Sequence, residues 1–136
     1  MSKLHLVGKF RELWPRSPLD LPSILGYLSE TAHPQEESIC EYLCRGAMLT
    51  GGLSIRTDAL DSSRSERIGS GSLLTDGIWA WNDDLPYYVR TYHVALPASF
   101  VAHMRKQNWH PKPVDDSELL RLDAALKNRE FTIETD

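Results

Sequence analysis

The sequence has no long apolar run. No stretch approaches the roughly 20 consecutive apolar residues that a helix needs to cross a bilayer. The first residues also lack the apolar core and the small-residue cleavage site of a secretory leader. These two absences argue against a membrane-spanning helix and a signal peptide, and they predict a cytoplasmic protein.

Cysteine is scarce, and the basic residues form no tract. Two cysteines cannot build a disulfide framework, so both are expected to be free thiols. The formal charge is −4, with no run of Lys and Arg. Nucleic acid and anionic membranes are therefore not expected as the main partners, whereas a basic protein fits the charge.

The composition is that of an ordinary globular domain. The chain has 136 residues, of which 41% are apolar and 25% are charged. This length supplies one hydrophobic core rather than two. We therefore predict a single domain over residues 1–136.

Apolar spacing predicts the elements of this domain. The three-and-four repeat indicates helices over residues 19–31 and 34–45, and further helices begin near Asn82, Pro97 and Asp115. Alternation and the Asp76-Gly77 turn signal predict strands around residues 47–55 and 73–81, and residues 131–133 could add an edge strand. Residues 60–72 are rich in Ser, Arg, Asp and Gly, which predicts a mobile loop. The fold class is α+β, with N-terminal helices, a small antiparallel sheet in the middle and C-terminal helices.

No motif of a known chemistry stands out. Cys40 and Cys44 are four residues apart, which is neither a redox pair nor a zinc knuckle, so we interpret both as small buried hydrophobes. The five histidines show no metal-ligand spacing. We therefore predict no catalytic residue, cofactor or metal, although His93 or His103 could meet Asp76, Asp83 or Arg90 in the fold.

Aromatic and acidic residues are concentrated between positions 76 and 92. Two tryptophans lie two apart on a predicted strand, and two tyrosines share the inward helical stripe, so these four are expected in the core. Asp83, Asp84 and Tyr87 fall off that stripe and are expected at the surface. Tyrosine and carboxylates there would suit a basic protein partner.

The same region resembles a small bacterial protein family. The resemblance covers residues 73–104 and depends on three motifs: Leu74-Thr75-Asp76-Gly77-x-Trp79-x-Trp81, Asp84-Leu85-x-Tyr87-Tyr88-Val89 and Leu96-Pro97-x-x-Phe100. Genes of this family are associated with polymorphic or contact-dependent toxins. Such neighbours usually encode immunity proteins.

The resemblance implies a non-enzymatic protein that binds a cognate toxin domain and covers its active site. It transfers no catalytic residue. The candidate contact residues are Asp83, Asp84 and Tyr87, with Arg64 and Arg67 of the solvated loop. Toxins that cut nucleic acid usually present a cationic cleft, which the acidic balance of this chain would suit.

Two other functions stay open. A small hydrolase or nuclease-like enzyme could use His93 or His103 with a carboxylate. A self-associating regulatory protein could pair through residues 131–133. If the chain is an immunity-type protein, we expect it to be a monomer or a weak homodimer.

Overall fold

A five-stranded mixed sheet forms the centre of the protein in the computed structural model, which describes residues 3–135. Its strands are β1 (Leu4–Leu6), β2 (Ala47–Thr50), β3 (Leu73–Thr75), β4 (Trp79–Asn82) and β5 (Phe131–Ile133). Their order across the sheet is β2-β3-β4-β1-β5. β2, β3 and β4 are antiparallel neighbours, whereas β1 is parallel to both β4 and β5.

Helices cover both faces of this sheet. They are α1 (Glu36–Cys44), α2 (Leu85–Tyr92), α3 (Ala98–Lys106) and α4 (Asp116–Lys127). The local sequence explains where α4 and α2 begin. α4 begins where the Asp115 side chain accepts a hydrogen bond from the Glu118 N–H at 2.9 Å, and α2 carries Pro86 in its first turn, where a missing N–H costs nothing.

Strand alternation on β4 separates two hydrophobic clusters. Trp79 and Trp81 point to one face, where they pack with apolar residues of α1, α2 and α3. Ala80 points to the other face and joins Leu4, Leu6, Leu73 and Leu122, the last of which lies on α4. The sheet is therefore sandwiched between three helices on one side and α4 on the other.

Aromatic stacking fixes the three-helix side. Phe100 of α3 lies between the two indoles, with ring centroids 4.7 Å from Trp79 and 5.6 Å from Trp81. The Trp81 indole N–H also donates to the Leu43 carbonyl at 2.8 Å. The prediction that both tryptophans face the core is confirmed, because each is buried in this cluster.

The α+β class and the helices after residue 34 agree with the sequence analysis, but the sheet differs. It is mixed rather than antiparallel because β1, which the sequence analysis missed, inserts between β4 and β5. The turn between β3 and β4 also lies one residue later than expected. The Asp76 N–H bonds to the Trp79 carbonyl, so Gly77 and Ile78 occupy its centre, and Gly77 takes φ +100.

The expected helix over residues 19–31 is wrong. Only one turn of 3-10 helix, Ile24–Tyr27, forms there, and Leu25 is exposed. The Glu12 carboxylate binds the Ile24 N–H at 2.7 Å, which fixes where the turn begins. The Tyr27 carbonyl then accepts from the Ala95 N–H at 2.8 Å, so a tertiary bond replaces continuation of the helix.

Asn82 does not cap α2 as expected. It is the last residue of β4, and its side chain binds Lys9 and the Ser72 carbonyl. The N-cap position of α2 belongs to Asp84, whose side chain makes no capping hydrogen bond.

Residues 52–56 and 68–72 run antiparallel to each other, and we call residues 52–72 the ribbon. The Ser54 N–H donates to the Ser70 carbonyl and the Arg56 N–H to the Gly69 carbonyl, each at 3.0 Å. The Ile68 N–H donates back to the Arg56 carbonyl at 2.8 Å. The ribbon thus extends the β2–β3 pair beyond Thr50 and Leu73. The mobility expected for residues 60–72 stays a prediction.

The close approach of the two ribbon segments leads to a stability prediction. A Cβ on Gly52 would lie 2.3 Å from the Ser70 carbonyl oxygen, a backbone atom that cannot rotate away. We expect Gly52→Ala to lower the free energy of unfolding by about 2 kcal/mol, measured by urea denaturation. Gly26→Ala is the matched control, since a Cβ there has no atom within 4 Å. Equal effects of the two substitutions would contradict the ribbon packing.

Candidate functional site

The ribbon presents two apolar side chains to solvent. Leu53 is 101% exposed and Ile55 is 77% exposed, whereas Arg56 between the ribbon and the core is half-buried. The sequence analysis expected residues 47–55 to form one strand, but β2 ends at Thr50. The two apolar residues therefore lie on an irregular extension of the sheet.

Arg56 fastens the ribbon to the rest of the protein. Its guanidinium donates to the Asp84 carboxylate at 3.1 Å and to the Leu13 carbonyl at 2.7 Å. It also lies over the Trp14 ring, 4.5 Å from the ring centroid. Three separate segments thus hold one side chain, so Leu53 and Ile55 project from an ordered base.

Asp84 lies inside the protein rather than at its surface, so the expected surface position is wrong. It is 2% exposed, because it begins α2 underneath the ribbon and pairs there with Arg56. Burial raises the pKa of Asp84 above its ordinary value, although the Arg56 charge opposes that change. Its carboxylate is a structural partner for Arg56 and is not available to another protein.

Asp83 and Tyr87 are only partly exposed, and both bind the ribbon, although Asp83 Oδ1 is buried without a hydrogen-bond partner in the described part of the chain. The Asp83 carboxylate accepts from the Ser70 N–H at 2.9 Å and the Ser70 hydroxyl at 2.7 Å. The Tyr87 hydroxyl donates to Asp58 at 2.6 Å. Both residues hold the ribbon against α2, so they support the exposed surface instead of forming its centre.

Arg64 and Arg67 are exposed at the far end of the ribbon. Arg64 donates to the Asp61 carboxylate at 3.3 Å and to the Tyr87 hydroxyl at 3.4 Å, and Arg67 donates to the Gly69 carbonyl at 3.4 Å. The five residues selected from the sequence therefore converge on the ribbon and its attachment to α2. Of these, the two arginines offer charge to solvent.

Asp58, which the sequence analysis did not select, organises the middle of the ribbon. Its Oδ2 accepts from the hydroxyls of Tyr87 and Tyr92, each at 2.6 Å. Its Oδ1 accepts from the backbone N–H groups of Leu60 at 2.7 Å and Asp61 at 3.0 Å. Burial opposes ionisation of Asp58, but these four hydrogen bonds outweigh it and lower the pKa.

A separate cleft lies on the three-helix side of the sheet. It has a volume of about 320 Å³ and is bounded by the end of α2, the start of α1 and Val101 of α3. Its walls combine apolar side chains with polar ones, which include Ser29, Thr31 and His33, and within it His93 Nδ1 lies 2.6 Å from Glu36 Oε1. His93 caps α2 with φ 53, a left-handed conformation that is uncommon for a residue with a side chain.

The histidine pairs only partly match the expectation. His103 Nε2 lies 3.2 Å from Asp76 Oδ2, one of the pairs considered from the sequence, but His93 binds Glu36 instead of Asp76, Asp83 or Arg90. Asp76 also accepts from the Tyr42 hydroxyl at 2.5 Å. Burial and this hydrogen bond to a carboxylate raise the pKa of Tyr42. Asp76 thus ties the β3–β4 turn to α1 and α3.

The cysteines do not form a site. Cys40 is buried as expected, and burial raises the pKa of its thiol to about 11, which makes it unreactive. Cys44 is exposed, so its interpretation as a buried hydrophobe is wrong. It occupies the last turn of α1, four residues from Cys40, where the helix turns away from the core.

Comparison with models of known protein families, with curated proteins and with solved structures finds no match for this chain. Within residues 3–135, no group of three potential metal ligands lies close enough to hold an ion. In the same range, no helix is long and apolar enough to cross a membrane. The ribbon and the His93 cleft are therefore the two candidate sites of this protein.

The Asp58 network leads to a prediction about stability and pH. Asp58→Asn replaces an acceptor with an amide, so one tyrosine hydroxyl or backbone N–H loses its partner, and we expect a loss of about 1–3 kcal/mol at pH 7. The folded-state pKa of Asp58 is lowered, so the carboxylate stabilises the fold above its unfolded pKa. That contribution is lost as pH falls below about 4.

Urea denaturation of both proteins between pH 7 and pH 3 measures this effect. The difference between wild type and Asp58→Asn should shrink toward the acidic end. Asp61→Asn, which changes a more exposed neighbouring carboxylate, is the control and should cost less. A constant difference across the range would contradict a role for the ionised form of Asp58.

Proposed function

We propose that this protein is a non-enzymatic bacterial immunity-type protein that binds a cognate toxin domain and neutralises it by covering the toxin's active site. The observation that carries the proposal is the braced ribbon, on which Leu53 and Ile55 are almost fully exposed. Large apolar side chains exposed on an ordered base are typical of surfaces that another protein covers.

The order of the ribbon supports tight binding. Arg56, Asp58 and Asp83 each fix it by several hydrogen bonds, so little conformational freedom would be lost when a partner covers it. Arg64 and Arg67 at the far end of the ribbon would supply charged contacts at the rim. This arrangement moves the proposed contact centre from Asp83, Asp84 and Tyr87 to the ribbon that they support.

The formal charge of −4 is compatible with a toxin that has a cationic cleft. Carboxylates elsewhere on the surface would speed the encounter, while the apolar pair would be buried in the complex. Recognition of such a toxin needs no reaction in this chain, which agrees with the absence of catalytic motifs from the sequence.

Co-expression with a candidate toxin domain taken from the neighbouring genes tests the proposal. We expect rescue of growth and a complex that co-purifies. Leu53→Ser combined with Ile55→Ser should weaken the complex about 100-fold or more, because full burial of each side chain contributes roughly 1.5–3 kcal/mol.

Leu25→Ser combined with Ile78→Ser is the matched control. It removes two apolar side chains that are also exposed but lie outside the ribbon. Ile78 is in the β3–β4 turn, at the opposite end of the β2–β3 pair from the ribbon. Failure to rescue growth, or equal weakening by both double variants, would count against the proposal.

A small hydrolase is the second candidate function, and the His93 cleft is the observation that favours it. An ionised Glu36 can only accept, so the neutral His93 imidazole donates from Nδ1. Its Nε2 then carries a lone pair that could take a proton from an attacking water. The apolar walls of the cleft would hold the substrate next to this group.

Hydrolysis of a nitrophenyl ester by the purified chain tests this candidate. A catalytic His93 predicts that His93→Ala lowers turnover about 100-fold or more, and that Glu36→Gln lowers it less. His110→Ala changes an exposed histidine that binds Arg45 outside the cleft, and it should leave turnover unchanged. Equal turnover by all three variants and wild type would remove the hydrolase from consideration.

A further inference from the structure

A second cavity lies on the α4 side of the sheet and contains an unusual amine. It has a volume of about 190 Å³, and its walls are mainly apolar side chains of β1, β3, α4 and β5: Leu6, Leu73, Leu126, Phe131 and Ile133. Residues of the N-terminal segment line the other side, namely Lys9, Trp14, Ser17, Leu19 and Leu21. Among residues 3–135, Lys9 is the only charged residue that lines this cavity.

The Lys9 ammonium has only weak compensation for its charge. Nζ donates to the neutral Asn82 amide oxygen at 2.7 Å and lies 4.0 Å from the centroid of the Trp14 ring. In the described part of the chain, no carboxylate lies within ion-pair distance of Nζ. The charge of Asp84 does act on Lys9, but the Asp84 carboxylate is already paired with Arg56.

These surroundings favour the neutral amine. Burial lowers the pKa of Lys9 to about 8; the Asp84 charge opposes the change, and the Arg56 charge adds to it. At pH 7.4 roughly a fifth of the Lys9 side chains would therefore be unprotonated, far more than for an exposed lysine. A neutral lysine amine is a nucleophile toward carbonyl carbon.

We propose that Lys9 and the apolar cavity beside it form a site that captures small apolar aldehydes as a reversible imine. The Nζ lone pair adds to the aldehyde carbon, and the carbonyl oxygen takes up a proton. The resulting carbinolamine loses one molecule of water, which leaves a carbon–nitrogen double bond. Addition of water reverses the sequence, so no oxidant or reductant is required.

The cavity defines which aldehyde fits. Its aliphatic and aromatic walls would remove the alkyl or aryl chain of the aldehyde from water. The aldehyde carbonyl would then lie beside the Lys9 amine. A charged aldehyde would lose its hydration without finding a partner there. The site is therefore expected to select by apolar character as well as by reactivity.

Reductive trapping tests the proposal on the full chain. The protein is incubated at pH 7.4 with hexanal or with the charged aldehyde glyoxylate, each with sodium cyanoborohydride, and adducts are measured by peptide mass spectrometry. We expect hexanal to modify Lys9 about tenfold faster than Lys112, which does not line the cavity. The preference for Lys9 should be much smaller with glyoxylate.

A cavity variant separates the site from simple amine reactivity. Leu19→Trp changes a partly exposed residue at the cavity wall and should reduce the Lys9 adduct of hexanal several-fold. Leu120→Trp changes an exposed α4 residue outside the cavity and should leave that adduct unchanged. Circular dichroism would confirm that both variants fold.

Two results would overturn the proposal. Equal modification of Lys9 and Lys112 by hexanal would show that Lys9 is not a distinctive nucleophile. A Lys9 adduct that forms equally with glyoxylate, or that Leu19→Trp does not reduce, would show that the cavity does not bind the aldehyde.

Discussion

The ion pair between half-buried Arg56 and buried Asp84 is the contact on which the proposed binding surface depends. Arg56 comes from the ribbon and Asp84 from the start of α2, so the pair joins the irregular part of the chain to the three-helix layer. A buried charge pair adds little net stability, because desolvation offsets much of the attraction. The pair matters because it holds the ribbon in position. Removing one partner would leave an uncompensated charge and release the ribbon. Burial is the main cause of the lowered pKa of Lys9, and the two members of this pair act on it in opposite directions: the Asp84 charge raises that pKa and the Arg56 charge lowers it.

Periodic segments with strong apolar stripes were predictable from the sequence. Phe100, Val101 and Met104 repeat at helical spacing and are buried on α3, and Asp115 caps α4 through its side chain as expected. The same spacing rule wrongly predicted a long helix around Leu25. The apolar spacing there is helical, but the Ile24 N–H donates to the Glu12 carboxylate and the Tyr27 carbonyl accepts from the Ala95 N–H, which limits the segment to a single turn. No local pattern encodes those distant partners. β1 was missed for a similar reason, since three residues are too short to show a period.

The candidate sites were less predictable because they depend on contacts between distant segments. Asp83 and Tyr87 lie near the proposed surface, but Asp84 points inward because an arginine 28 positions earlier folds over it. Glu36 meets His93 only after α1 packs on α2. Leu53 and Ile55 carried a usable signal: two apolar residues alternating with polar ones, beside a glycine pair, are typical of a sheet edge. The sequence did not indicate that Arg56 would anchor the ribbon to the rest of the protein.

The position of β1 affects how the chain can acquire its fold. His5 pairs with Trp79 and Leu4 pairs with Phe131, so both neighbours of this strand lie far along the sequence. During synthesis, β1 must wait for both β4 and β5, which are made long after it. Closing such long loops early is entropically costly, which favours slow assembly in which local hairpins and helices form first. Until both of these neighbours have been synthesised, β1 exposes unpaired backbone groups and the apolar side chains of Leu4 and Leu6, which are open to non-native contacts in that interval.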